Sequence, residues 1–258
     1  MAHSYVNASQ LNAQTGTSIS HNHTPGSVCT LIILSIVVEG TTARSGGDPT
    51  IGGVTALKAD TLRVGLEQSV ELWYRCAAFP ETATTVVVPN AGGLACHLEV
   101  VSATAGAAYA SALHSASGGA WADDTADGGT VNVTSSATGD FLYCRLGVGE
   151  AAVGSTTESS GSPTKVLTYE NDHGAYCSEG HQAVSDGAGT ESFVYAWLND
   201  DGCACAAAWS TALSASAAAA AIAISEIKTV SIGAVAVSDL NLAMVYTYWA
   251  YTLPKPEP

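Results

Sequence analysis

Short runs of β-branched and aromatic residues recur along most of the chain, and each run ends near Gly, Asn, Asp or Pro. Roughly a dozen such runs follow one another at the spacing of about 8–12 residues that is typical of β-sandwiches. No amphipathic helical period extends beyond two turns, and no internal repeat is visible in the residue types. The pattern therefore predicts an all-β fold built as an antiparallel sandwich.

The predicted strands are runs of alternating or continuous apolar residues: 28–38, 52–57, 69–78, 84–88, 94–102, 131–135, 141–148, 166–169, 192–198 and 203–209. The run 28–38 is apolar on both faces, which favours a central strand covered on both sides. Residues 104–128 are small and polar and predict a loop, as does the Gly/Ser/Thr-rich segment 149–162. The Asp-Asp-Gly sequence at 200–202 predicts a hairpin turn.

The clearest alternation places Val70, Leu72 and Tyr74 on one face of a strand, with Glu71 and Trp73 on the other. A tryptophan is a large apolar surface to leave bare. We therefore expect the second face of this strand to be covered by another layer or by another subunit.

The chain has seven cysteines. Four of them share strand faces with apolar neighbours and are predicted to be buried thiols: Cys29 beside Leu31 and Ile33, Cys76 after Tyr74, Cys96 between Leu94 and Leu98, and Cys144 between Leu142 and Leu146. Cys203 and Cys205 are two residues apart, so they share a face, and this is not the spacing of redox or zinc motifs.

Charged residues make up 12% of the chain, and the net charge is −15 with only 8 Lys and Arg. Nucleic acid and anionic membranes both attract basic surfaces, so neither is expected as a partner.

The longest apolar stretch, 31–38, is too short to span a bilayer as a helix. The first residues contain no basic, apolar secretion signal, so we expect synthesis in a cytoplasm. Small, neutral residues such as Gly, Ala, Ser and Thr take the place of charged residues. They are suited to close packing in an assembly, but they could equally reflect the amino-acid composition favoured by the source genome.

No residue pattern assembles a catalytic site, and we expect neither an enzyme nor a cofactor. Jelly-roll glucanases place three carboxylates in the order Glu-x-Asp-x-x-Glu on one strand. The nearest match begins at Glu170 and Asp172, but Ala175 occupies the third position.

Two groups of residues are candidates for a metal. Asp123, Asp124 and Asp127 gather oxygen ligands of the kind that calcium prefers, although their spacing is not that of the EF-hand loop and a solvated acidic loop is the simpler interpretation. His21 and His23 are two residues apart and would share a strand face, but no third ligand can be named from the sequence. They precede Thr-Pro-Gly at 24–26, which favours an exposed strand end over a metal site.

Several segments up to residue 228 resemble, in their order, a concanavalin-like jelly-roll family of tailed-virus virion proteins, from phages or archaeal viruses. The segments that carry the resemblance are the apolar strand 29–39, Thr-Ile-Gly-Gly-Val at 50–54, Ser-Val-Glu-Leu-Trp-Tyr-Arg at 69–75, Thr-Thr-Val-Val-Val at 84–88, Gly-Asp-Phe-Leu-Tyr at 139–143 and the Ala-rich 215–227. The resemblance implies an all-β, jelly-roll-like antiparallel β-sandwich over residues 1–228, followed by a C-terminal extension at 229–258.

The extension carries much apolar and aromatic surface after the sandwich should already be complete. We expect it to be an assembly arm, with candidate interface residues Met244, Tyr246, Tyr248, Trp249 and Tyr251. The alternative is that residues 229–258 supply ordinary outer strands of the same domain.

The resemblance implies a non-enzymatic structural component of a virus particle, such as a capsid decoration, turret or tail-fibre protein. Its expected partners are copies of itself, as a symmetric homo-oligomer, and other virion proteins on the particle exterior. The alternative is a carbohydrate-binding module or adhesin that would use an aromatic residue on a loop, such as Trp121, to bind a host-surface glycan.

Overall fold

The computed structural model describes residues 2–40, 44–60, 63–64, 68–106, 109–121, 128–149, 157–159, 164–173, 176–197 and 200–213. The chain divides into two units, Met1–Ser214 and Ala215–Pro258, and all described residues belong to the first. All regular structure within the described residues is β-strand, and every strand pairing is antiparallel. The predicted all-β antiparallel sandwich is therefore confirmed.

The first ten strands form two sheets, which we call the first sandwich. The strands are β1 Ser4–Gln14, β2 Ser18–His23, β3 Cys29–Glu39, β4 Thr50–Ile51, β5 Val54–Thr55, β6 Leu57–Lys58, β7 Arg63–Val64, β8 Gln68–Phe79, β9 Thr84–Pro89 and β10 Cys96–Thr104. One sheet has the order β1-β10-β3-β8-β6, with β7 also paired to β8, and the other has the order β2-β9-β4-β5.

The next eight strands form the second sandwich. They are β11 Tyr109–Trp121, β12 Gly129–Ser135, β13 Phe141–Gly149, β14 Thr157–Ser159, β15 Val166–His173, β16 Tyr176–Val184, β17 Gly189–Ala196 and β18 Gly202–Leu213. Their sheets have the orders β11-β18-β13-β16-β15 and β12-β17-β14.

The strand order of the first sandwich is repeated in the second. In each sandwich the last strand lies between the first strand and the third: β10 lies between β1 and β3, and β18 lies between β11 and β13. The second strand of each sandwich, β2 or β12, is a terminal strand of the smaller sheet. The neighbours of the third strand correspond as well, because β3 lies between β10 and β8, and β13 lies between β18 and β16. The fold is thus duplicated, although the residue types of the two halves show no repeat.

Three core layers hold four sheets in one stack. Inside the first sandwich, Ile32 and Leu34 of β3 pack with Val86 of β9. Inside the second, Leu142 of β13 packs with Phe193 of β17. The middle layer joins the two larger sheets, which we call the inner sheets, through the apolar residues Leu31, Ile33, Leu72, Tyr74, Phe141, Tyr143 and Trp209.

The inner sheets are stacked with their strand orders running in opposite directions. Strand β1 contacts β15 at one side of the stack, and β7 contacts β11 at the other. Because both faces of the inner sheets are covered, their central strands are continuously buried. This accounts for the uninterrupted apolar sequence of β3 and for the small residues of β18, and it confirms the prediction of a central strand at 28–38.

The structure corrects four predictions of local structure. The predicted loop 149–162 contains the short strand β14, Thr157–Ser159. The predicted loop 104–128 contains the 13-residue strand β11, whose small residues pair with β18. The residues 200–202 do not close a hairpin, because β17 and β18 belong to different sheets. Cys29 lies in the core of the first sandwich, on the opposite face from Leu31 and Ile33, because a register shift after it changes which face the following residues occupy. Cys96 and Cys144 are buried as predicted, whereas Cys76 is only half-buried.

The described part of the region predicted as one sandwich, 1–228, contains two sandwiches. The predicted boundary at 228 and the arm 229–258 lie outside the described residues and stay predictions.

Candidate functional site

A buried polar network joins the two sandwiches at the centre of the middle layer. The Tyr143 hydroxyl donates to Glu99 Oε2 at 2.5 Å, and Arg145 Nη1 donates to the same oxygen at 3.1 Å. Ser35 Oγ lies 2.8 Å from the Tyr143 hydroxyl oxygen. Glu99 and Ser35 come from the first sandwich, whereas Tyr143 and Arg145 come from the second. The network is therefore a polar connection at the centre of an interface that is largely apolar there; a second polar contact between the sandwiches joins Ser111 to His3 and Thr30.

The network continues to the side of the stack through Arg145 and Tyr169. Arg145 Nη2 donates to Ser178 Oγ at 3.0 Å, and the guanidinium lies 3.9 Å from the centre of the Tyr169 ring. The Tyr169 hydroxyl donates to Asn12 Oδ1 of the first sandwich at 2.6 Å. The planar guanidinium thus makes an ion pair, a hydrogen bond and a cation–π contact at once.

Strand alternation places these polar groups, and a glycine makes room for them. Tyr143 and Arg145 are two residues apart on β13 and point toward the first sandwich, while Cys144 points into the core of the second. A side chain at Gly180 would lie 2.9 Å from the Tyr143 hydroxyl and would collide with the Glu99 carboxylate. Glycine at this position is what allows the two inner sheets to approach around the network.

Burial dominates the electrostatics of this network. Burial raises the pKa of Glu99, and the neighbouring Arg145 charge and the Tyr143 hydrogen bond oppose part of that rise. Burial and the Glu99 charge raise the pKa of Tyr143 well above its usual value, so its hydroxyl stays a donor. The short distance from Tyr143 to Glu99 is that of a charge-assisted hydrogen bond. Since Glu99 and Arg145 are fully buried, the network acts on the packing of the sandwiches and offers no surface to a substrate.

Glu71 and Trp73 form a second buried cluster, inside the first sandwich. Glu71 Oε2 accepts from Trp73 Nε1 at 2.7 Å and from Arg44 Nη2 at 2.9 Å, and Lys58 Nζ lies 4.6 Å from the Trp73 ring centre. Trp73 is 3% exposed, which confirms that the second face of β8 is covered. The layer that covers it is the smaller sheet of the same sandwich.

Ser9, His21 and His23 form a third cluster, which we call the Ser-His cluster. Ser9 Oγ lies 2.7 Å from His21 Nε2 and 2.8 Å from His23 Nδ1. Burial lowers the pKa of both imidazoles, and burial together with His21 lowers that of His23 to about 4. Both rings are therefore neutral at neutral pH.

Most of the remaining predicted site residues lie in parts of the chain that the structure does not describe. Asp123, Asp124 and Asp127 lie outside the described residues, and so do the interface candidates Met244, Tyr246, Tyr248, Trp249 and Tyr251. Within the described residues, no three His, Cys, Asp or Glu side chains form a group that would hold a metal. Glu170 is an exposed residue of β15.

Trp121 is placed differently from the exposed loop aromatic that the glycan-binding alternative requires. It ends β11 and meets Trp197 edge to face, with the ring centres 5.5 Å apart. It also packs against the core of the second sandwich. Its environment is that of a half-buried packing residue at the edge of that core.

Sequence reasoning missed the Glu99 network. Its signal in the sequence is a single charge inside an apolar run: Glu99 follows Leu98 and precedes Val100, and Arg145 lies between Cys144 and Leu146. A charge in such a strand requires a buried partner of opposite sign. That requirement predicts a pair without identifying its second member.

No family model, curated protein or solved structure matches this chain. Among the described residues, no helix is long and apolar enough to cross a membrane.

Proposed function

We propose that the chain is a non-enzymatic structural component of a virus particle that assembles with copies of itself through its sheet edges. The observation that carries this proposal is the position of the exposed apolar side chains. Among the described residues, six large hydrophobic side chains are exposed, and five of them lie on strands at sheet edges: Tyr5, Val54, Leu57, Val166 and Leu167.

The two sandwiches present these side chains at corresponding edges. In the first sandwich, Leu57 is 59% exposed on β6, beyond β8. In the second, Val166 is 51% exposed on β15, beyond β16, which occupies the place of β8. Because the inner sheets run in opposite directions, β6 and β15 lie on opposite sides of the stack. A subunit with similar apolar edges on opposite sides can contact one copy on each side, as rings and lattices require.

The buried Glu99–Arg145 network supports the same role. It joins the two sandwiches across their middle layer by a buried ion pair within an apolar core, and close-packed interiors resist deformation. A shell or fibre component needs such a rigid body.

The strand order supports the jelly-roll part of the proposal. Strands β1-β10-β3-β8 face β2-β9-β4-β5, and the second sandwich repeats the arrangement with one strand fewer in its smaller sheet. This interleaving, in which the first and last strands pair, is typical of the jelly rolls found in capsid and lectin domains. The position of Trp121 favours the capsid class over the lectin class.

Sedimentation of edge variants tests self-assembly. We expect the full-length chain to form a defined oligomer, and Leu57→Asp and Leu167→Asp to reduce its mass, because each buries a carboxylate in an apolar contact. Val28→Asp is the matched control, since Val28 is 50% exposed but lies outside the strands. A monomeric wild-type chain, or edge variants as oligomeric as the control, would contradict the proposal.

A further inference from the structure

We propose that His21 and His23 form a binding site for a divalent metal ion with affinity for imidazole, of which Zn²⁺ is the type, with the Ser9 hydroxyl beside it. The inference is independent of the proposed role in a virus particle. Two imidazole nitrogens from different residues are directed at one hydroxyl oxygen, at 2.7 and 2.8 Å. Such convergence is what a metal ion requires of its ligands.

The fold places the three side chains together at the side of the first sandwich. His21 and His23 are two residues apart on β2, so they share a face of that strand. Strand β2 is the terminal strand of the smaller sheet, and β1, which carries Ser9, is the terminal strand of the inner sheet. The cluster therefore bridges the edges of two sheets. His21 and Ser9 are each partly exposed, which leaves a route for an ion and its water ligands.

The protonation state of the imidazoles suits metal binding. Burial lowers the pKa of His21 and that of His23, to about 4 for the latter, so protons do not compete for the ring nitrogens at neutral pH. Ring nitrogens bind Zn²⁺ at about 2.0–2.1 Å, closer than their present distances to Ser9 Oγ. An ion would thus take the place of the Ser9 hydroxyl between the two nitrogens, with the rings moving closer to it, and water would complete its coordination.

Two features limit the affinity. Within the described part of the chain, no carboxylate contacts the cluster to offset the charge of a divalent ion. Coordination through Nδ1 would also fix a proton on His23 Nε2, a buried atom that makes no hydrogen bond among the described residues. We therefore expect moderate binding that is readily reversed by a chelator, in contrast to a structural zinc site with four ligands.

Calorimetric titration of the untagged full chain with Zn²⁺ tests the site. We expect one ion per chain, at least tenfold weaker binding by His21→Ala, and no change in His114→Ala. His114 is the matched control because it is an exposed histidine of β11. Ser9→Ala should retain most of the affinity, since the two rings supply the principal ligands.

Nuclear magnetic resonance of the wild-type imidazoles supplies a second readout that does not depend on a variant. Zn²⁺ should shift the ¹⁵N signals of His21 Nε2 and His23 Nδ1 and leave those of His114 unchanged. Absence of heat and of these shifts at millimolar Zn²⁺ would overturn the proposal. Equal loss of binding in His21→Ala and His114→Ala would also overturn it, because it would indicate binding by scattered surface histidines.

Discussion

Arg145 of the second sandwich donates to Glu99 of the first at 3.1 Å, and water reaches neither side chain. A buried ion pair gains little over an apolar pair of the same volume, but loss of one partner leaves an unpaired buried charge. The contact thus makes correct seating of one sandwich on the other a condition for stability.

Removal of the Arg145 charge is therefore expected to destabilise the chain strongly. Arg145→Met should lower the free energy of unfolding by about 3–5 kcal/mol, because Glu99 is left without its counter-ion. The double variant Glu99→Gln with Arg145→Met should recover a large part of this loss, since no charge then remains buried. Urea denaturation of the single and double variants measures both values, and additive effects of the two substitutions would show that the residues are not coupled.

Replacement of Trp73 by Ala tests the packing inside the first sandwich. Trp73→Ala should cost about 3–5 kcal/mol in free energy of unfolding, because it removes a buried aromatic ring and leaves Glu71 without one of its donors. Val28→Ala, at an exposed position outside the strands, should change stability little and serves as the control. A cost below about 1 kcal/mol for Trp73→Ala would contradict the burial of this ring and indicate an exposed tryptophan.

The buried histidines should make stability depend on pH. Burial lowers the pKa of His23 and that of His181 to about 4, below the usual 6.5 of the unfolded chain. The unfolded chain therefore binds protons more readily, so the stabilisation from neutral imidazoles is complete above pH 6.5 and is lost as the pH falls toward 4. We expect each ring to contribute about 2 kcal/mol to this loss, allowing for solvent screening.

Denaturation of wild type and His23→Gln at pH 7 and pH 5 checks this dependence. The variant should lose less stability than wild type between the two values, because glutamine does not titrate. Carboxylates titrate equally in both proteins and cancel in the comparison. Identical losses would show that His23 keeps an ordinary pKa in the folded chain.

The alkylation rates of the cysteines test which face of each strand is buried. Burial raises the pKa of Cys29 to about 11, and that of Cys76 and of Cys96 to about 12. The thiolate is the reactive form, so alkylation of these cysteines should be slow in the native chain and fast in urea. Peptide mass spectrometry after timed labelling gives the rate at each position. Native labelling as fast as in urea would place these thiols at the surface.

The sequence predicts the long inner strands well because their residues must be apolar. Strands β3, β8 and β13 were found from patterns that burial imposes directly. Strand β11 was missed because small residues serve both in loops and in a strand packed closely against β18. The prediction that Cys29 shares a face with Leu31 is wrong because the register shift between them cannot be recognised from the residue types. The duplication leaves no repeat in the residue types because the two sandwiches share strand order, which is a property of pairing between distant segments.

The candidate sites also divide into residues that a local sequence pattern identifies and residues that only the tertiary structure brings together. His21 and His23 were recognised from their spacing, but Ser9 joins them only through the approach of β1 to β2. Glu99 and Arg145 are 46 residues apart in the chain and meet across two sheets. No local pattern identifies such a contact, because it depends on how one sandwich stacks on the other.

Electron cryomicroscopy of the assembled full-length chain tests the central claim most directly. We predict a regular oligomer or lattice in which neighbouring subunits meet at the edges that carry Leu57 and Leu167, with each four-sheet stack unchanged inside. Isolated single subunits, or contacts made through the faces of the outer sheets with these edges bare, would contradict assembly through the sheet edges.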